Sequence, residues 1–120
     1  MEIVTFEIAK KLKGKSFPQK TAGRYSMIDC FYYEDGRLFF HGGACDVNEA
    51  YTAPTISQVL KWLRGKDIMV EIPPVLGDDG TWTFSFRVQT KKLYDRSTKD
   101  YTSYESAALA CIEHVLDNLI

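Results

Sequence analysis

Apolar residues along the chain change their period several times, and each change predicts an element. Ile8, Ala9 and Leu12 recur at helical spacing; with Thr5 as N-cap and Gly14 where a helix would stop, they predict a short helix over 5–12. In YSMIDCFYYEDGRLFFHGG, aromatic and aliphatic residues flank Asp35-Gly36, the dipeptide suited to a two-residue hairpin turn, so two antiparallel strands are expected. That turn sets a register of Glu34 with Arg37, Tyr33 with Leu38, Tyr32 with Phe39, Phe31 with Phe40 and Cys30 with His41. Alternation then puts Phe31, Tyr33, Leu38 and Phe40 toward the core and Cys30, Tyr32, Phe39 and His41 on the opposite face.

The helical period returns in YTAPTISQVLKWLRG, where Ile56, Val59, Leu60 and Leu63 form one stripe. Thr55 and Gln58 are spaced as a capping box, Pro54 precedes the cap and Gly65 closes the helix. Ile68, Val70 and Ile72 then alternate with polar or flexible neighbours in a strand that stops at Pro73-Pro74. After a turn at Gly77–Gly80, TWTFSFRVQ has the cleanest period of two in the chain, with Trp82, Phe84, Phe86 and Val88 inward and Arg87 and Gln89 outward. Leu93-Tyr94 and Lys99–Tyr101 extend this strand or add a short fifth one. Thr102 and Glu105 are spaced as a further capping box for a last helix that buries Ala108, Ile112, Val115 and Leu119.

The order α-ββ-α-ββ(β)-α predicts a two-layer α+β fold: a mainly antiparallel sheet of four to five strands with helices on one face, in a single domain over 1–120. Segments 25–65 and 67–119 each read as a strand pair followed by a helix, so a duplicated unit is conceivable, although only the periodicity of elements supports it.

Composition narrows the class. Hydrophobic residues at 45% and charged residues at 26% are globular averages, and 120 residues suffice for one core without metal or disulfide staples. No apolar run reaches the roughly 18 residues that span a bilayer, and Met1-Glu2-Ile3-Val4 lacks a signal-peptide pattern, so a cytoplasmic, non-membrane protein is expected. Cys30, Cys45 and Cys111 cannot all pair within one chain, which favours reduced thiols. A net charge of −1 argues against a protein that coats nucleic acid, yet Lys10, Lys11, Lys13, Lys15, Lys20 and Arg24 gather near the N-terminus, and Lys10, Lys11 and Lys13 are the candidate phosphate contacts.

Three stretches, TFEIAKKLKGKSFPQ, YTAPTISQVLKWLRG and YTSYESAALACIEHVLDNLI, resemble segments of small proteins encoded by bacteriophages and prophages of gut-type bacteria. The shared residues are caps and core positions, so the resemblance implies context and fold, with expression inside a bacterial host cell, and carries no functional residue with it.

HGGACD, residues 41–46, is the most chemically suggestive stretch. A cysteine nucleophile at Cys45 would need His41 as base and Asp46 to orient it; the simpler reading is that Gly42-Gly43 ends a strand and Asp46 starts a turn, so no catalytic residue is assigned. A metal site is better grounded, because the hairpin register sets Cys30 opposite His41 and the loop could return Cys45 beside them, with Cys111 or His114 as a fourth ligand. No paired CxxC supports it, and no cofactor is expected. A nuclease pattern would combine Asp78 or Asp79 with Gln89-Thr90-Lys91, but glutamine stands where a metal-binding carboxylate belongs. Tyr32 and Phe39, with Arg87 and Gln89, compose a candidate partner surface. The slightly acidic balance favours a protein partner or self-association over nucleic acid, and no small-molecule substrate is identifiable. The expected function is a phage-derived accessory or binding protein without enzymatic activity; the alternative is a metal-dependent enzyme acting on nucleic acid.

Overall fold

A computed structural model describes residues 2–19, 30–40 and 50–120, with the side chains of Phe39 and Phe40 excepted. The chain divides into two units, Met1–Thr55 and Ile56–Ile120. HGGACD, and with it His41 and Cys45, lies outside the described residues.

In the first unit, helix α1 (Phe6–Gly14) begins where the spacing predicts, with the Thr5 hydroxyl accepting from the Ile8 N–H at 3.3 Å. Its end differs from expectation. Gly14 remains helical, and Ser16 takes the left-handed conformation (φ +66°), so that the Phe17 N–H returns to the Leu12 carbonyl at 2.9 Å. Ile8, Ala9 and Leu12 are buried as their spacing requires. Strands β1 (Cys30–Tyr33), β2 (Leu38–Phe40) and β3 (Ala50–Thr52) form an antiparallel sheet in the order β2-β1-β3, and α1 packs beside β3. The chain before α1 is tied to the same unit: Val4 N–H donates to the Pro54 carbonyl, and the Tyr32 hydroxyl donates to the Val4 carbonyl at 2.6 Å.

The hairpin register is one residue away from the predicted one. Cys30 pairs with Phe40, Phe31 with Phe39 and Tyr32 with Leu38. The cause lies in the turn: Tyr33 N–H donates to the Arg37 carbonyl and Gly36 N–H to the Tyr33 carbonyl, closing a three-residue loop of Glu34, Asp35 and Gly36. Only Gly36 has positive φ (+88°), whereas a two-residue type I′ turn would need it at Asp35 as well. The assigned faces hold only in part: Phe31 is buried as expected, but the rest of the pattern differs. Tyr33 and Leu38 are 40% and 41% exposed, while Cys30 and Phe31 are both buried. Cys30 thus pairs with Phe40 instead of the predicted His41; the candidate metal ligands His41 and Cys45 lie outside the described residues.

In the second unit, α2 (Ile56–Arg64) buries Ile56, Val59 and Leu63. Asp67 (φ +61°), rather than Gly65, takes the left-handed position at its end, and Ile68 N–H returns to the Leu63 carbonyl. β4 (Met69–Glu71), β5 (Pro74–Leu76), β6 (Trp82–Phe84), β7 (Arg87–Gln89) and β8 (Tyr94–Arg96) form two antiparallel sheets, β4-β7-β8 and β5-β6. Among the described residues, the expected single sheet of four to five strands is thus replaced by three small ones.

The physical reason for the break in the second unit is local. β4 with β7 and β5 with β6 keep one common register around the Gly77–Gly80 turn, so they are a single long hairpin interrupted at Ile72 and Pro73, just before Pro74 opens β5. Neither proline can donate to a ladder, although the Pro73 carbonyl still accepts from Ser85 N–H at 3.2 Å. Beyond the interruption Trp82 is 56% exposed, contrary to its expected inward position, whereas Phe86 and Val88 are buried.

Helix α3 (Tyr104–Asn118) opens with a capping box one residue later than predicted: Ser106 N–H donates to the Ser103 hydroxyl and Ser103 N–H to the Ser106 hydroxyl. Its buried face comprises Ala107, Ala108, Cys111, Ile112, Val115 and Leu116, and α2 packs against it. No helix among the described residues is long and apolar enough to cross a membrane.

Candidate functional site

Alternation along β4, β7 and β8 separates two faces of their sheet. Val88 is fully buried, Asp95 stands opposite it in register, and Phe86 and Asp95 both reach His114 of α3, so this side is packed against the helix. The other side carries two cross-strand rows, Met69–Gln89–Tyr94 and Glu71–Arg87–Arg96, all of them exposed. Successive outward positions on one strand lie about 7 Å apart.

The charged row is unbalanced. Arg87 and Arg96 are directly opposed in register, an arrangement that disfavours pairing. Glu71 approaches Arg87 at 3.8 Å on its other side. The Arg96 guanidinium has no ion pair or hydrogen bond among the described residues. Just past this row the third strand leaves the ladder: Ser97 N–H donates to the Phe86 carbonyl, the Ser97 hydroxyl accepts from Phe86 N–H, and pairing resumes only at Tyr101 with Phe84. The intervening residues bulge, opening a cleft of about 440 Å³ lined by Ser85, Arg87, Arg96, Ser97, Thr98 and Asp100. At the other end of β7 and β8, Lys66, Thr90, Lys91 and Lys92 line a second cleft, where Lys91 is 3.4 Å from Asp67.

On the helix side, His114 Nε2 and Asp95 Oδ2 are 2.7 Å apart, a pair that resembles the orienting half of a catalytic triad. The remaining ring nitrogen, Nδ1, is 3.3 Å from Asn118 Nδ2. Both nitrogens are thereby used. The hydrogen bond from His114, followed by the Arg96 N–H, holds the Asp95 carboxyl below its ordinary range. Cys111, one turn before His114, is fully buried, and burial together with the Asp95 charge pushes its thiol up to about 12. A thiolate nucleophile is therefore not formed there at neutral pH.

Other sequence candidates are dispersed. Lys10 lies over the Phe6 ring and 3.9 Å from Glu7; Lys13 donates to the Ala50 carbonyl and lies over Tyr51; Lys11 is half-buried on the same helix. Tyr32 is spent on Val4 and packs its ring on Phe6, and the Phe39 side chain lies outside the described residues. Arg87 and Gln89 face outward as predicted. Asp79 closes the hairpin turn at the end of β5 and β6 remote from Gln89 and Lys91, roughly 25 Å or more away by strand rise, so the nuclease pattern does not converge. Among the described residues no group of three His, Cys, Asp or Glu side chains could hold a metal. Sequence reasoning missed Tyr94 and Arg96, whose signal was only a three-residue alternation around Asp95. Comparison with protein-family models, curated proteins and solved structures finds no match.

Proposed function

We propose that the chain is a non-enzymatic binding module that presents the outer face of the β4-β7-β8 sheet to an anionic partner. The observation that carries this reading is the opposed Arg87–Arg96 pair, with a single carboxylate in the row and a polar cleft beside it. Two like charges held side by side cost stability, and an anion between them would reverse the sign of that interaction. An accessory role in a bacteriophage or prophage, inside a bacterial host cell, belongs to the same proposal and is supported by the resemblance of the three stretches quoted above. The alternative of a metal-dependent enzyme needs convergent ligands, which the described residues do not offer.

The test is fluorescence anisotropy of labelled polyanions (polyphosphate, a glutamate oligomer and a single-stranded oligonucleotide) titrated with the whole chain at several salt concentrations. At least one probe should bind, more weakly as salt rises, and the double variant Arg87→Glu/Arg96→Glu should lose that binding. No salt-dependent binding of any probe would overturn the proposal.

A second reading, a protein partner or a second copy, is favoured by the exposed Leu76, Trp82 and Tyr104 on and beside the β5-β6 hairpin. Light scattering checks the self-associating version: a monomer mass at every concentration removes it.

A further inference from the structure

We infer that the anionic partner is a single-stranded nucleic acid, with one phosphate held between Arg87 and Arg96 at the mouth of the Ser85–Ser97–Thr98 cleft and an adjacent base stacked on Tyr94. This rests on the proposed binding role of the sheet face and adds the chemistry of the ligand.

The phosphate subsite follows from the donors that surround the cleft. Arg87 and Arg96 approach one another from paired strands, and Arg96 is uncommitted among the described residues. Ser85 and Thr98 add hydroxyls to the same cleft, while the Ser97 hydroxyl accepts from Phe86 N–H and retains its own proton to donate. Guanidinium forks match a tetrahedral oxyanion in two directions at once. Such a set would also suit an isolated carboxylate.

The neighbouring row separates the two ligands. Tyr94 is 56% exposed, two residues from Arg96 on the same strand face, so its ring stands about 7 Å from the guanidinium row. Gln89 is its direct cross-strand neighbour, and Met69 lies beyond Gln89. A flat ring, an amide that both donates and accepts, and a polarisable thioether form a platform for a base and its edge. An acidic peptide would leave that platform unused. Beyond it, the Thr90–Lys92 turn carries two more cations, Lys91 being 3.4 Å from Asp67, in a cleft that Leu119 and Ile120 also line. Two carboxylates oppose an anion here: Asp100 in the lining of the cleft, and Glu71, which at 3.8 Å restrains Arg87 at the cost of some affinity.

The experiment uses the full chain and three probes matched in charge: fluorescein-labelled dT12, polyphosphate and a glutamate oligomer. The expected result is that dT12 binds tightest. Arg96→Glu should weaken it more than tenfold and reduce the salt slope by about one phosphate contact. Tyr94→Ala should weaken dT12 about tenfold while leaving polyphosphate unchanged, Tyr94→Phe should restore dT12 binding, and Glu71→Gln should strengthen both. Equal affinity for dT12 and polyphosphate with no effect of Tyr94→Ala would overturn the nucleic-acid inference and leave the anion-binding role standing. Tighter binding of the glutamate oligomer would do the same in favour of an acidic protein. Failure of all three probes would remove both. These three positions are exposed, so each variant is expected to keep the wild-type circular dichroism spectrum, which is recorded alongside.

Discussion

The two units handle their positive charges in opposite ways. The helix of the first unit is dense in lysine, yet Lys13 is tethered to the Ala50 carbonyl and Tyr51 ring, and Lys10 to Phe6 and Glu7. The sheet of the second has only two arginines in its outer row, and the structure sets them against each other. Cation density along a sequence therefore measures something different from the charge left over for a ligand. Lysine stems cover apolar and aromatic surface while their heads find local partners, so a lysine-rich helix can be mostly a packing device.

The strongest way to break this contrast is to reverse charge on both sides of it. Arg87→Glu/Arg96→Glu should abolish polyanion binding, a loss of at least about a hundredfold on the scale of two charge-assisted contacts. Lys10→Glu/Lys11→Glu/Lys13→Glu should leave polyanion affinity within a few-fold and instead lower the urea midpoint, because Lys13 loses its carbonyl and its ring. A lysine variant that loses binding while keeping its midpoint would relocate the site to the first unit.

How much of this was legible in the sequence depends on the length of the signal. Helices announced themselves through stripes such as Ile56, Val59 and Leu63, because burial of one face repeats over several turns. Their ends were less readable. Ser16 and Asp67, not the nearby Gly14 and Gly65, take the left-handed position, and the N–H that follows each, of Phe17 and of Ile68, turns back to the carbonyl five residues earlier. β3 went unseen because Ala50–Thr52 is too short to show alternation. The outward Arg87 and Gln89 were visible in a clean period of two, whereas Arg96 became significant only when register placed it across from Arg87. A site assembled from two short strands is written in pairing, and a single sequence does not display pairing.

The same comparison extends to a turn that the chain uses twice. Tyr33–Arg37 and Gly77–Thr81 both have an acidic residue, aspartate and glycine between the paired ends; both make the same two backbone hydrogen bonds, and both place the glycine at positive φ, +88° at Gly36 and +81° at Gly80. Their surroundings differ. A Cβ on Gly36 would meet the Phe6 ring at 3.3 Å, while one on Gly80 would meet nothing within 4 Å. Gly80→Ala should therefore cost only the conformational penalty, about 1–2 kcal/mol, and Gly36→Ala should cost more by whatever it takes to displace Phe6 from α1. Chemical denaturation checks the ordering; equal losses would mean that the first hairpin yields without disturbing the helix.

The smallest expected effect lies in the aspartates of these two turns. The N–H two residues on, from Arg37 and from Thr81, is the main cause holding the Asp35 and Asp79 carboxyls below their ordinary values. Asp35 has an additional cause that Asp79 lacks, the Arg37 guanidinium, whose Nε is 2.7 Å away. A depressed carboxylate stabilises the fold above its unfolded value, near pH 4, and that contribution fades as pH falls through the folded value. Both turns should thus loosen only under acid conditions. Added salt screens the guanidinium but not a local backbone hydrogen bond, so the midpoint of Asp35 should rise with ionic strength while that of Asp79 stays nearly fixed. Side-chain carboxyl chemical shifts followed by NMR across acidic pH, at low and high salt, measure both midpoints in one sample. If the two move together, the Arg37 ion pair adds nothing to the first turn, and the shared backbone hydrogen bond alone accounts for both.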